Sequence, residues 1–322
     1  MNLRKVQEIS GTYLLSMPKD WARRSGLTKG SIVAIVERED GCIIVDPQYN
    51  LENNVESTTI QPNRFLEREL TGKYLLGFDI IKISGKTRLL PEISERVRTN
   101  VRRLIGLEIV EEDAYKIVLQ CLLEPSALPP ERILRREHLL ASSMHKDVLA
   151  SLNEGNAPLA KSIIERDEEV DRLYFLLVRL LRMIVLKPYL SEKLGLSMID
   201  CLDYRLMANY IEAIADYSQE VAKNVIEFSD VALPETVFQT LIKLGELSYE
   251  MHQDAFAALL SKDLRLLEKV LEKEQLSKSI LRELDEFLTG KPFEVISYAS
   301  SVASALTKIC DYSVDLADLI IP

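Results

Sequence analysis

Two stretches of the chain repeat one another and decide the fold: MHKDVLASLNEGNAPLAKSIIERDEEVD at residues 144–171 and MHQDAFAALLSKDLRLLEKVLEKEQLSK at residues 251–278. Corresponding residues in the two stretches are 107 positions apart. A further match, DYS at residues 216–218 and at 311–313, has a shift of 95. The connector PYLSEKLGLS of the first copy is longer than TGKP of the second, which accounts for the different shift. We infer two copies of a three-helix unit.

Apolar residues recur at helical spacing along both copies, as they do at Ile163, Val170, Leu173 and Leu177. The sequence therefore predicts six helices, with bounds near 129–154, 157–187, 197–229, 233–261, 263–288 and 292–320. Long helices joined by short loops form bundles. The fold class expected for residues 129–322 is an all-α bundle made of the repeats 129–229 and 233–322.

Four acidic residues fall on or beside the apolar stripes of two helices in the first copy. Asp167 and Asp171 are one turn apart, and Glu212 and Asp216 have the same spacing on the next long helix. Carboxylates one turn apart share a face and repel each other, and burying them without a counter-charge costs much more. Two such pairs are what an oxygen-ligated metal site needs. The spacing fits a solvated helix face equally well.

The second copy keeps only part of this acidic pattern. Glu274 and Asp311 remain, whereas Lys278 and Thr307 occupy the positions of the other two acids. We therefore expect one competent metal site in the chain. In the second copy, we expect Lys278 to supply the positive charge opposite Glu274 and Asp311.

Two histidines occupy equivalent positions in the two copies. His145 and His252 could be metal ligands, but a histidine on a packed helix is more often a structural residue with satisfied hydrogen bonds, and we favour that interpretation. Asp147 and Asp254, two positions further on, are weaker site candidates.

The first 49 residues predict a separate small domain. Short alternating strands surround one short helical stretch, and a hairpin turn is expected at Asp40-Gly41. So short a domain without disulfides cannot bury much surface alone, which favours an intertwined homodimer. Residues 1–30 contain six basic and two acidic residues, which suggests a local contact with a polyanion.

The segment between these parts predicts a linker followed by a small α+β unit. Residues 50–63 are polar and read as a linker, and residues 64–127 predict the order α-β-α-β-β. The basic helix of this unit could contact an anion, although a solvated face is the favoured interpretation. Its basic residues are Arg96, Arg98, Arg102 and Arg103.

The composition is that of an ordinary globular protein, with 47% hydrophobic and 28% charged residues. The net charge of −10 argues against coating of DNA by the whole molecule. No unbroken apolar stretch approaches the roughly 18 residues that a membrane span needs, and the first ten residues lack the apolar region of a signal peptide. Four widely spaced cysteines fit a reducing compartment. We expect a cytoplasmic protein that is not an integral membrane protein.

The helical half resembles the PhoU (phosphate uptake regulator) family. The motifs that carry the resemblance are DEEVD at residues 167–171 and EAIADYSQEVA at residues 212–222, and the similarity covers about residues 130–320. It implies that Asp167, Asp171, Glu212 and Asp216 bind divalent or trivalent metal ions such as Mg, Mn, Fe or Zn. It also implies that the protein restrains phosphate uptake through a phosphate ABC transporter or a signalling protein.

Residues 4–48 resemble the AbrB/SpoVT family. The resemblance is carried by RKV at 4–6, MPK at 17–19, Trp21-Ala22, the glycines of GLTKG at 26–30 and the closing strand CIIVDP at 42–47. It implies a swapped-hairpin β-barrel, shared by two chains, that binds double-stranded DNA. The chain has Gly11-Thr12 where many members have Gly-Arg, so the resemblance shifts the expected contacts with DNA phosphates to other cations: Arg4, Lys5, Lys19, Arg23 and Arg24. Arg23 and Arg24 fit equally well as solvated charges at a helix end, where the helix dipole favours them.

Taken together, the two resemblances make the chain similar to an archaeal fusion of an AbrB-like domain with a PhoU-like domain. The sequence therefore favours a DNA-binding homodimeric regulator of phosphate homeostasis with a metal-sensing bundle. The alternative is a PhoU-type protein that binds a transporter or signalling partner, with an N-terminal domain that only dimerises. A metal-dependent hydrolase is disfavoured, because no nucleophile, base and orienting residue stand out together. We expect a protein that is not an enzyme.

Overall fold

The computed structural model describes residues 3–37, 41–47 and 55–320. The chain divides into two compact units, residues 1–55 and residues 56–322. The first unit contains short strands and one short helix, and the second contains a four-stranded sheet and the long helices.

The N-terminal unit consists of two small antiparallel hairpins and a helix. Its elements are β1 (Gln7–Ile9), β2 (Thr12–Leu14), α1 (Lys19–Arg24), β3 (Ala34–Glu37) and β4 (Ile43–Asp46). Ser10 and Gly11 connect β1 to β2 with φ values of 51° and 81°, as a tight hairpin turn with two left-handed residues requires. Asp40 of the second predicted turn lies outside the described residues. Both sheets are two-stranded and open in the single chain, so the barrel of two chains stays a prediction.

An α+β part begins the second unit. Its elements are β5 (Ser57–Ile60), α2 (Leu66–Leu75), β6 (Ile80–Ser84), α3 (Pro91–Arg102), β7 (Leu107–Glu112) and β8 (Lys116–Cys121). The strand order is β5-β6-β8-β7, with β5 and β6 parallel and the other neighbours antiparallel. The predicted linker 50–63 is corrected in part, because residues 57–60 form an edge strand. Their polar sequence STTI suits an edge, where one side of the strand faces solvent.

Six long helices form the rest of the second unit, as the periodicity predicts. They are α4 (Pro130–Glu154), α5 (Ala157–Leu186), α7 (Met198–Glu227), α8 (Glu235–Ser261), α9 (Leu264–Leu288) and α10 (Phe293–Ala317). The connector that follows α5 is itself partly helical, as α6 (Pro188–Leu194). Proline at its first position and a left-handed Gly195 at its end account for this additional short helix.

The turns inside the two repeats correspond residue by residue. Gly155 ends α4 with φ 62°, and Lys262, 107 positions later, ends α8 with φ 53°. The next residue caps the following helix in both cases: the Asn156 side chain accepts a hydrogen bond from the backbone of Leu159, and that of Asp263 accepts one from Arg265. The repeat inferred from the sequence is therefore also a repeat of backbone geometry.

Each repeat packs as a three-helix unit, and the two units share one hydrophobic core. Helix α4 packs on α5 and α7, and α8 packs on α9 and α10. Contacts of α4 with α8 and of α7 with α10 join the units. Among the described residues, none of the helices combines the length and the apolar character that crossing a bilayer requires.

Candidate functional site

The packing of α5 against α7 brings together the four acidic residues singled out in the sequence. Asp167 is buried, Asp171 and Glu212 are half-buried, and Asp216 is exposed. Burial, followed by repulsion from Asp216 and Asp171, raises the pKa of Asp167 to about 7. Burial, followed by repulsion from Asp216, Asp171 and Asp167, raises the pKa of Glu212 to about 7. The four carboxylates therefore form one electrostatically coupled cluster, which we call the α5–α7 carboxylate cluster.

Nearby polar groups compensate only part of this charge. The Gln219 amide donates a hydrogen bond to Asp167 over 2.5 Å, and Arg103 forms an ion pair with Asp171 at 2.7 Å. Lys223 opposes the rise in the pKa of Asp167 and Asp216, but burial and the neighbouring acids outweigh it. An excess of negative charge remains, which a bound cation would neutralise.

The chemistry of the cluster suits a hard cation, because carboxylate and amide oxygens are the ligands that such ions prefer. Among the residues that the structure describes, no group of three or more His, Cys, Asp or Glu side chains stands ready to hold a metal ion. The side chains of the cluster would therefore have to rotate toward an ion. The metal role of Asp167, Asp171, Glu212 and Asp216 stays a prediction.

Glu137 of α4 adds a fifth carboxylate, one that the sequence analysis missed. It is fully buried, and neither of its side-chain oxygens has a hydrogen-bond partner among the described residues. Burial, followed by repulsion from Glu212, raises its pKa well above the usual value. Its position between Leu134 and Ala141 on the apolar stripe of α4 is the sequence signal that could have revealed it.

The corresponding place in the second repeat carries no comparable cluster. Lys278 pairs with Glu274 over 2.5 Å, as expected. Asp311, however, pairs with Lys308 at 3.1 Å, and the expectation that Lys278 serves both acids is corrected. The Thr307 hydroxyl donates to its own helix, at the carbonyl oxygen of Ala303.

The histidines lie in the contact between α4 and α8. His145 and His252 are both buried, with ring centroids 5.8 Å apart and an interplanar angle of 19°. The Ser248 hydroxyl lies 3.0 Å from Nε2 of His145. Neither ring nitrogen of His252 has a hydrogen-bond partner in the described chain. The expectation of satisfied histidines is therefore wrong for His252, because the residue 107 positions before Ser248 is Ala141, which offers no side-chain acceptor. It holds only in part for His145, whose Nδ1 has no partner among the described residues.

The weaker candidates Asp147 and Asp254 each form an ion pair between two helices. Arg166 pairs with Asp147 at 2.6 Å, and Lys273, 107 positions after Arg166, pairs with Asp254 at 2.9 Å. Each pair joins the first two helices of its repeat. These equivalent ion pairs extend the repeat relationship to side-chain contacts.

The α+β part is held on α5 by a buried arginine. Arg179 donates hydrogen bonds to the carbonyl oxygens of Tyr74, Gly77 and Phe78, at 2.5, 3.3 and 3.1 Å. Its guanidinium also lies 4.9 Å from the ring centroid of Tyr74. The α+β part therefore has a fixed position beside the carboxylate cluster.

The basic residues around α3 are mostly engaged in ion pairs. Arg96 pairs with Glu67, Arg98 with Glu112 at 2.8 Å, and Arg103 with Asp171. Arg98, Arg102 and Arg103 are exposed, which agrees with the solvated face favoured from the sequence. Arg103, directly after α3, contacts the carboxylate cluster.

In the N-terminal unit, the five candidate DNA-binding side chains are all exposed: Arg4, Lys5, Lys19, Arg23 and Arg24. None of the side chains described between residues 3 and 47 is buried. Large apolar side chains stand exposed there as well: Leu3, Val6, Ile9, Tyr13, Leu14, Leu15, Met17, Ile32, Ile35 and Ile43. A hydrophobic core is thus missing from the part of this unit that the structure describes.

Comparisons with known proteins point to one family. A family model described as PhoU domain matches residues 134–225 and 241–320, which together exceed half of the chain. The phosphate-specific transport system accessory protein PhoU homolog of Zymomonas mobilis is 25% identical over 179 residues, covering 53% of this chain and 73% of that protein.

Two solved structures share the fold of the bundle. The structure of PhoU from Pseudomonas aeruginosa has a TM-score of 0.54 and 18% identity, and covers 61% of this chain and 95% of that one. The structure of the phosphate transport system regulatory protein PhoU from Streptococcus pneumoniae has a TM-score of 0.52 and 15% identity. It covers 59% of this chain and 91% of that one.

Proposed function

Because this chain belongs to the PhoU family, we propose that it is a regulatory accessory protein of phosphate transport that acts by binding a transporter or a signalling partner. The observation that carries the proposal is the complete duplicated bundle, in which the family match covers both repeats. The name of the Zymomonas mobilis relative, an accessory protein of a phosphate-specific transport system, supports the same role. Of the two functions weighed from the sequence, the comparisons favour partner binding over DNA regulation.

A cation at the α5–α7 carboxylate cluster is the proposed effector of this regulation. The supporting observation is the uncompensated negative charge of Asp167, Glu212 and Asp216. The carboxylates would bind the cation, and the ion would cancel their mutual repulsion. The second repeat would bind no such ion, because lysines already pair with its acids Glu274 and Asp311.

The N-terminal unit is proposed to form a homodimer. A unit of this size, with none of its described side chains buried, cannot be stable by burying its own surface. A second copy of the chain is the simplest source of the missing contacts, because the exposed strands of one copy would pack against the same strands of the other. Sedimentation of the full chain tests this point: a dimer is expected, and a monomer at micromolar concentration would contradict it.

DNA binding is a second candidate function. It is favoured by the exposed cations of the N-terminal unit, above all Arg23 and Arg24 at the end of α1. Phosphate contacts predict an affinity that falls steeply with salt. Anisotropy titration of genomic fragments at several salt concentrations tests it. Binding that is insensitive to salt, or unchanged by Arg23→Ala with Arg24→Ala, would exclude this function.

Phosphate uptake measured in cells tests the proposed function itself. A strain that lacks the gene should lose the restraint of uptake at high phosphate, and the wild-type chain should restore it. The double variant Arg23→Ala, Arg24→Ala should also restore it if partner binding is the main activity. Uptake that is identical with and without the gene at every phosphate concentration would overturn the proposal.

A further inference from the structure

One exposed face of α4 carries a row of cations. Five residues follow the i, i+4, i+7, i+11 and i+14 spacing that places side chains on one face of a helix, and all five are exposed. At 1.5 Å per residue, the row extends about 21 Å along the helix. We call this surface the α4 face, and it consists of Arg132, Arg136, Leu139, Ser143 and Lys146.

The three positive charges of the α4 face are not neutralised within the described chain. Their side chains form no ion pair and no hydrogen bond with another described residue. The exposed or half-buried acids of the same part of α4 are engaged elsewhere, since Glu131 pairs with Arg135 at 2.8 Å and Asp147 with Arg166 at 2.6 Å. The α4 face is therefore strongly basic, although the whole chain has a net charge of −10.

Helix formation does not explain the two arginines of the α4 face. Arg132 and Arg136 lie one turn apart, so their charges repel each other. Arg132 also lies in the first turn of α4, near the positive end of the helix dipole, where a cation is unfavourable. Both residues therefore reduce the stability of the helix that carries them.

The second repeat has the same face without this charge. The residues 107 positions further on lie on α8, outside its buried side, and comprise one cation, two acids and two amides. The cation, Lys243, lies 4.0 Å from Glu283, and Glu250 pairs with Lys273 at 2.7 Å. The fold thus accommodates other residues at this place, and packing does not require the cations of the first repeat. The equivalent residues of α8 are Gln239, Lys243, Glu246, Glu250 and Gln253.

Leu139 indicates which kind of partner suits the α4 face. It lies in the middle of the row and is 67% exposed. An apolar side chain among arginines is typical of protein interfaces, in which arginine is enriched and the rim is polar. Nucleic-acid phosphates would use the cations but not the leucine, and one leucine buries too little apolar surface to hold the chain on a bilayer. An acidic protein segment matches both features.

We propose that the α4 face binds an acidic segment of a partner protein, whose carboxylates pair with Arg132, Arg136 and Lys146 and whose apolar side chain contacts Leu139. The inference rests on the proposed function, because the partner is the transporter or signalling protein through which phosphate uptake is restrained. An acidic helix of about four turns is long enough to follow the whole row.

Photo-cross-linking from the α4 face in cells tests the assignment. The full chain carries p-benzoylphenylalanine in place of Leu139, and mass spectrometry identifies the adduct. The expected adduct is a protein segment in which acidic residues outnumber basic residues. Arg132→Glu with Arg136→Glu, added to the same chain, should lower the yield of this adduct about tenfold or more, because like charges would then face each other.

The second repeat provides the matched control for this charge reversal. Gln239→Glu with Lys243→Glu makes the equivalent changes on α8 and should leave the yield of the adduct unchanged. Both double variants should melt near the wild-type temperature, because the substituted side chains are exposed and glutamate is a good helix former. A lower yield in a variant that melts normally then reports binding.

Four results would overturn the inference. They are the lack of any protein adduct, an adduct with nucleic acid, lipid or a second copy of the chain, an adduct with a neutral or basic protein segment, and an acidic adduct whose yield the reversal on α4 does not change.

Phosphate uptake separates this inference from the proposed function. If restraint of uptake needs the gene but no acidic adduct forms, the proposed function stands and the inference is overturned. If the acidic adduct forms and is lost in Arg132→Glu with Arg136→Glu while uptake is the same with and without the gene, the α4 face binds an acidic partner and the proposed function fails.

Discussion

Arg103, directly after α3, forms an ion pair with Asp171 of α5, with 2.7 Å between Nη2 and Oδ2. The guanidinium also lies 5.8 Å from the centroid of the Phe175 ring, one turn further along α5. The α+β part thereby contributes a positive charge to a carboxylate cluster that belongs to the bundle. A cation that binds Asp171 has to compete with this arginine, so ion binding and the contact between the two parts are linked.

The first prediction concerns this competition. Arg103→Ala removes a positive charge from the edge of the cluster, so the affinity for Mn²⁺ should rise by roughly three- to tenfold at low salt. Stability should change by less than about 1 kcal/mol, because the pair is partly exposed. Mn²⁺ titration and urea unfolding measure the two effects.

Arg98→Ala is the control for Arg103→Ala. Arg98 belongs to the same helix and forms a surface ion pair with Glu112, but it has no contact with the cluster. The substitution Arg98→Ala should therefore leave the Mn²⁺ affinity unchanged. Equal effects of the two substitutions would mean that only the net charge of the α+β part matters, and the competition would be refuted.

The second prediction concerns pH. In the cation-free protein the pKa values of Asp167 and Glu212 are raised to about 7, above those of the unfolded chain. The folded state then holds more protons than the unfolded state between about pH 4 and pH 7, so stability is highest at the acidic end and falls as the pH rises through 7. Urea unfolding in the presence of a chelator, from pH 5 to pH 8, should show this decline.

A double variant provides the reference for the pH experiment. Asp167→Asn with Glu212→Gln removes both titrating groups, and the decline between pH 5 and pH 8 should become shallower. Addition of Mn²⁺ should restore stability more at pH 8 than at pH 5, because the ion binds the deprotonated carboxylates. A decline of the same size in the double variant would show that other groups cause it.

The third prediction concerns the attachment of the α+β part. Arg179→Leu keeps apolar bulk but removes the donor from the carbonyl oxygens of Gly77 and Phe78, whereas that of Tyr74 keeps the hydrogen bond from the Gly77 amide. Unpartnered buried groups of this kind cost about 1–3 kcal/mol each, so we expect a loss of about 2 kcal/mol or more in urea unfolding. Arg182→Leu, exposed on the same helix, should change stability by less than about 0.5 kcal/mol. Similar losses in both variants would contradict the role of Arg179.

The fourth prediction concerns the contact between the repeats. The Ser248 hydroxyl donates to the carbonyl oxygen of Gly245 over 2.7 Å, so its oxygen accepts from Nε2 of His145. Ser248→Ala leaves this buried nitrogen without a partner and should destabilise the protein by about 1–3 kcal/mol in thermal or urea unfolding. Ser279→Ala, which removes an exposed serine that bonds its own helix, should be nearly neutral. A neutral Ser248→Ala would mean that the histidine finds another partner.

Helix bounds and the repeat could be predicted from the sequence because they depend on local signals. The spacing of apolar residues identifies each helix, and residues such as Gly155 and Asn156 mark the turn between two of them. The 107-residue shift carries over to contacts, as the pairs Asp147–Arg166 and Asp254–Lys273 demonstrate. In these cases the interacting groups are close in sequence or related by the repeat.

Features that depend on packing between distant segments could not be predicted. Glu137 is buried because neighbouring helices pack on α4, and the sequence of α4 alone does not fix where those helices lie. Arg103 and Asp171 are 68 residues apart, so spacing gives no sign of their ion pair. The strand β5 was missed because its polar sequence resembles a linker, and its pairing with β6 decides its conformation.

The metal content of the full chain, loaded with Mn²⁺ and freed of excess ion, tests whether the first repeat alone binds a cation. We expect about one tightly bound ion per chain, lost in Asp216→Asn and retained in Asp311→Asn, the equivalent change in the second repeat. Two ions per chain that the two substitutions remove equally, or no bound ion in the wild type, would contradict it.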